Sequence, residues 1–179
     1  MTVVTAMAAL SSTISAHSWI EQLTLISPTG QFTGSPGYIR GFKDRKAQGF
    51  SDTSLVHILP KSDPLEEKRK RDIPDTDMAG ITPDDSMCRK SQRAATNTPG
   101  FPRLKAAPGS MVALRYQENG HVTIPETQKG KPPNRGSVYI YGTSKPSSDE
   151  KFLDVFNKWN ENGSGGNRNG KLLAVQNYE

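Results

Sequence analysis

Three histidines, His17, His57 and His121, supply all the imidazole of the 179-residue sequence. His17 stands out because of what precedes it. Residues 1–16 (MTVVTAMAALSSTISA) carry no charged side chain, are apolar from Val3 to Leu10 and end in small residues. That pattern reads as a secretory signal peptide cleaved after Ala16. It is too short for a membrane span, which needs about 20 apolar residues. Cleavage there makes His17 the first residue of the mature chain. An N-terminal histidine presents its α-amine and its ring Nδ1 to one ion as a chelate. The α-amine has a pKa of about 8, low enough for a metal to displace its proton. Amine and imidazole nitrogens suit copper and its tetragonal geometry. One further imidazole would complete a T-shaped three-nitrogen site.

His121 is the candidate for that third nitrogen. It follows an alternating strand, SMVALRYQ at 110–117, and a turn at Glu118-Asn119-Gly120. Its position is therefore near a sheet edge, where a strand starting at Trp19 can also lie. Spacing alone leaves two readings open: one shared site, or two unrelated surface histidines. His57 sits among Val56, Ile58 and Leu59, and reads as a satisfied core or surface residue. Other enzyme signatures are missing. There is no Gly-x-Ser-x-Gly elbow, no His-Glu-x-x-His pair and no phosphate-binding loop. The acid pairs Glu66-Glu67 and Asp84-Asp85 fall in polar stretches and read as solvated.

The elements that must position these groups are short strands. Apolar residues make up only 33% of the sequence, and 16 glycines and 13 prolines punctuate it. Strands are expected at 19–26, 38–42, 55–59, 110–117 and 136–142, and the start of another at 171–179. The last has no strand after it, which suggests a C-terminally truncated sheet. Residues 61–100 read as an irregular loop, with a basic run at Lys68-Arg69-Lys70-Arg71. A helix is expected from 148 to about 159, capped by Ser147 and Glu150. It would turn Phe152, Val155, Phe156 and Trp159 toward the core. The expected fold is all-β: an immunoglobulin-like antiparallel β-sandwich with long loops and one short helix, occupying 17–179 as a single domain. The formal charge is +5, but the basic residues are scattered without interleaved aromatics, so nucleic acid is not an expected partner. Cys88 is the only cysteine, and Asn162-Gly163-Ser164 is a glycosylation sequon that agrees with secretion.

The terminus His17-Ser18-Trp19 after a signal peptide, taken with the stretch ALRYQENGHV at 113–122, resembles secreted fungal histidine-brace proteins. The best known of these are the lytic polysaccharide monooxygenases. The stretches 17–45 and 101–178 also look like an uncharacterised family of fungal secreted proteins with a His-Ser-Trp terminus. The resemblance implies copper as cofactor, His17 and His121 as its ligands, and a polysaccharide or cell-wall glycan as partner. Trp19 and Tyr38 would then hold the glycan. In the monooxygenases an axial Tyr or Phe and a Gln or His lie late in the domain, and Tyr178 and Gln176 are residues of those types here. The activity implied is oxidative cleavage of polysaccharide. The alternative is a non-catalytic secreted protein that binds copper or wall glycan.

Overall fold

The computed structural model describes residues 18–51, 53–57, 59, 81–118 and 137–177. The fold is all-β and sandwich-like, built from antiparallel strands with two one-turn helices. One sheet has the order β2-β1-β3, with β1 at Ser18–Ile26, β2 at Phe32–Gly37 and β3 at Met111–Glu118. The other pairs β4 (Ser137–Gly142) with β5 (Lys171–Asn177). Helix α1 is Lys90–Arg93 and helix α2 is Phe152–Val155. Among the described residues no helix is long and apolar enough to cross a membrane.

β1 is the central strand of its sheet. It pairs with β3 from Ser18↔Glu118 to Ile26↔Met111. The register slips between Ile20 and Gln22, so Glu21 is an extra residue, a β-bulge. Bulges re-aim side chains, and here Glu21 Oε1 receives a hydrogen bond of 2.6 Å from Arg45 Nε. The guanidinium of Arg45 in turn lies 5.6 Å from the centre of the Trp19 ring. β2 (FTGSPG) tolerates its proline because it pairs with β1 alone in this sheet. Gly37 ends it where a Cβ would collide with the backbone of Leu104.

Several expected elements are displaced, each for a visible reason. Residues 38–42 are not a strand. In a strand, positions i and i+4 are about 13 Å apart, yet the rings of Tyr38 and Phe42 lie 4.7 Å apart and both contact Phe101. The chain turns instead, to deliver both rings to one cluster. Residues 55–57 are not a strand either. Their carbonyls are taken by side chains: Gln92 Nε2 donates to Leu55 O at 3.1 Å, and Arg89 donates to the carbonyls of Thr53 and Val56.

The stretch expected to be irregular is ordered over its described part, 81–100. A segment at 85–93, here called the strap, pairs antiparallel with the chain before α2 through the bridge Ser86↔Lys151. Met87 N donates to Glu150 O and Phe152 N donates to Asp85 O, both at 2.8 Å. The same strap carries Arg89 and Gln92, so it ties residues 53–56 to the C-terminal half. The basic run at 68–71 lies outside the described residues.

The C-terminal helix is one turn, not three. The Ser147–Glu150 capping box does not form, because the Glu150 carboxylate accepts from Asn167 Nδ2 and Ser147 Oγ accepts from Asp149 N at 3.1 Å. Lys151 takes the cap position with no side-chain bond, and Phe156 is already extended. Asn157 follows with a positive φ of 55°, a conformation asparagine tolerates, and donates its N–H to Tyr141 Oη at 3.0 Å. The expected core face survives this shortening. Val155 is 1% and Trp159 5% exposed, Phe152 and Phe156 stack, and Tyr139 and Tyr141 of β4 meet Phe156 and Trp159 edge-on. Gly170 lets the chain pass the Trp159 indole, into which a Cβ would run. The strand expected at the end of the sequence forms as β5 and pairs with β4 from Ser137↔Asn177 to Gly142↔Lys171.

Candidate functional site

The two histidines expected to bind copper, His17 and His121, lie outside the described residues, as do residues 1–16 and Tyr178. What the structure gives is the framework from which they extend. The opening residues of β1 and the closing residues of β3 are direct neighbours: Ser18 opposes Glu118 and Trp19 opposes Gln117. Among the described residues no group of three or more His, Cys, Asp or Glu could hold a metal ion. Gln176 is exposed on β5, opposite Val138.

Of the two aromatic residues expected to hold a glycan, Trp19 is placed differently from that expectation. Trp19 is 7% exposed and belongs to the core with Phe42 and Leu55. Its ring meets Phe50 edge-on, and Arg45 occupies one face. A sugar cannot stack on it. Trp19 is the one buried residue of β1, and the short apolar stretch alone did not specify which residue that would be. Tyr38 is half-buried, wedged edge-on against Phe101, and its hydroxyl accepts from Gln22 Nε2 at 3.3 Å. One side of it still reaches a cleft.

Two concavities matter. The first, about 470 Å³, lies between the sheets and is lined by Ile20, Leu114 and Tyr116 from one sheet and by Val138 and Ile140 from the other. Its end is closed by His57 and Met87. Burial pushes the His57 imidazole below its ordinary 6.5, a hydrogen bond with the Ser86 backbone opposes this, and the charge of Arg93 adds to it. His57 therefore is a neutral ring packed at the edge of the core, as its apolar neighbours suggested.

The second cleft, about 680 Å³, opens beside Tyr38. Its apolar floor is Leu23, Ile39 and Leu104, and its walls carry Arg40, Arg103 and Tyr141. The half-buried thiol of Cys88 also borders it. No sequence signal singled out Arg40 or Arg103. They are 63 positions apart by number and only the turn at 38–42 and the close approach of Gly37 to Leu104 bring them to one cleft.

A family model described as a domain of unknown function (DUF7492) matches residues 14–179. The chain belongs to that family. No curated protein and no solved structure matches it. The family match spans both sheets, the strap and both clefts. It starts three residues before His17, so residues 1–13 fall outside what the match covers. The sequon asparagine, Asn162, is exposed in the loop before β5, where its Oδ1 accepts from Ser164 N at 2.9 Å.

Proposed function

We propose that the mature chain is a secreted copper-binding protein whose site is a histidine brace: the His17 α-amine, the His17 ring and the His121 ring. The observation that supports this reading is the register of β1 with β3. His17 is one peptide bond from Ser18, and His121 is three residues past Glu118; Ser18 and Glu118 are paired. Three residues span at most about 11 Å, so both histidines are tethered to one end of one strand pair. The donor set also fits the ion, since two imidazoles and an amine suit copper. Copper held there supplies one-electron chemistry toward O₂ or peroxide, the chemistry of oxidative polysaccharide cleavage. The chain's own contribution would be to free the amine by processing after Ala16 and to tether the two segments that carry the rings to one strand pair.

The test is copper(II) titration by calorimetry and electron paramagnetic resonance, on protein shown by mass to begin at His17. One-to-one binding with a nitrogen-rich tetragonal signal is expected. His121→Ala should weaken it by about 100-fold or more, since even indirect partners of a metal contribute 10–100-fold. Binding that ignores both His121 and the free terminus overturns the brace.

The burial of Trp19 supports the second reading, a secreted copper- or glycan-binding protein that does not cut. Copper-loaded protein given reductant and cell-wall glycan separates the two. Release of oxidised oligosaccharides gives the enzyme, and their absence gives the binding protein.

A further inference from the structure

The cleft beside Tyr38 carries an unbalanced charge. Arg40 and Arg103 both line it, and no carboxylate does among the described residues. Neither guanidinium has a hydrogen-bond or ion-pair partner among the described residues. The contrast within the protein is direct: Arg45, Arg89, Arg93 and Arg115 each donate to a protein oxygen. Two cations with no partner among the described residues, set in a concave site, focus the field on whatever enters it. Guanidinium groups match a carboxylate by paired, charge-assisted hydrogen bonds.

The rest of the lining suits a sugar ring. Tyr38 and Tyr141 border the cleft with their rings already held by neighbours, at Phe42 and Phe101 for one and at Tyr139 and Trp159 for the other. Each phenol oxygen accepts a bond from elsewhere, from Gln22 Nε2 and Asn157 N respectively, which leaves its O–H proton to donate. The apolar floor of Leu23, Ile39 and Leu104 matches the C–H face of a pyranose. At about 680 Å³ the cleft is within the usual size of small-ligand sites.

We propose that this cleft binds the carboxylate-bearing sugar of an acidic glycan, a uronate, with Arg40 and Arg103 as its counter-ions. The sugar part of this proposal rests on the glycan reading above; the anion part rests on the two arginines alone.

The test is calorimetric titration of the full mature protein with oligogalacturonate, with its fully methyl-esterified form, with a neutral cello-oligosaccharide and with inorganic phosphate. Oligogalacturonate should bind, and the ester and the neutral sugar should bind at least about 10-fold more weakly. The double variant Arg40→Gln/Arg103→Gln should lose about 100-fold, at roughly 10-fold per charged hydrogen-bonding partner. The exposed Arg103→Gln alone serves if the double variant does not fold. Because Cys88 is the only cysteine, bound uronate should also slow its alkylation in the wild type and not in the variant. Equal binding of acid and ester, binding that survives both substitutions, or binding of phosphate without the uronate overturns the proposal. So does no binding at all. Copper titration of the same preparations reads the brace separately: copper lost with uronate retained removes only the brace.

Discussion

The aromatic cluster around Trp159 and the one around Trp19 have similar ingredients and opposite construction. The first is local. Its rings come from 139 to 159, its strands are β4 and β5, and the Trp159 Nε1 donates to Asn167 Oδ1 at 2.9 Å. The second gathers Trp19, Tyr38, Phe42, Phe50, Leu55 and Phe101 from distant turns. Its Trp19 Nε1 is buried with no hydrogen-bond partner among the described residues. An unpaired buried donor costs about 1–3 kcal/mol. Contacts that close short loops can satisfy their polar atoms along the way. The local side leaves an atom of its own unpaired among the described residues, Glu150 Oε2, so the contrast lies in the two indoles: the one in the local cluster has its N–H met, and the one gathered with far-apart segments does not.

Truncating the two tryptophans tests this most strongly. Trp159→Ala should destabilise by about 3–5 kcal/mol in urea unfolding, and it also strips Asn167 Oδ1 of one of its two donors. Trp19→Ala removes similar area together with the unpaired N–H, so its loss should be smaller by about 1–2 kcal/mol. Equal losses would break the comparison. Next come the two glycines that admit close approach. Gly37→Ala meets the backbone of Leu104, which cannot swing away, and should cost about 3 kcal/mol. Gly170→Ala meets the Trp159 ring and the Gly142 carbonyl and, with a side chain rather than backbone as its nearest obstacle, should cost less, about 1–2 kcal/mol in urea unfolding. The reverse order would mean that the local cluster is the more rigid.

The smallest effect is electrostatic. Burial favours the neutral ring of His57, so its folded pKa lies below the unfolded 6.5. The unfolded chain then binds the extra proton. The contribution of His57 is complete above pH 6.5 and is lost as pH falls from there through the folded pKa. His57→Gln should flatten the stability–pH curve in that window, read as the urea midpoint between pH 5 and 7.5. An unchanged slope would place the pH sensitivity of the Trp19 side elsewhere.

What the sequence disclosed follows the same division. Strands β1, β3, β4 and β5 were legible as short apolar runs bounded by turn residues, with clear alternation in β3, and the buried face of Val155 and Trp159 was legible because its spacing is local. The helix around that face was read too long. Its caps are spent on tertiary bonds, Glu150 on Asn167 and the Asn157 N–H on Tyr141, and spacing does not report such competition. On the Trp19 side, 38–42 and 55–59 read as strands because their apolar residues cluster, yet turns and, at 55–56, side-chain bonds to carbonyls decide their path. Trp19 was read as a surface platform and is core. The paired arginines escaped the sequence for the same reason: nothing local joins position 40 to position 103.

The strap at 85–93 meets both halves largely through main-chain oxygen. Asp85 and Glu150 offer carbonyls to N–H groups, and Thr53, Leu55 and Val56 offer carbonyls to Arg89 and Gln92. A carbonyl is the same in every amino acid. Where a receiving position asks little else of its side chain, its identity is free to vary so long as the backbone keeps its course. Thr53 comes nearest to this, exposed and bonded through its hydroxyl to Ser51 on the surface, whereas Leu55 is core and the carboxylates of Asp85 and Glu150 accept bonds of their own from Thr82 and Asn167. Drift should therefore be tolerated at 53 and punished at 89 and 92.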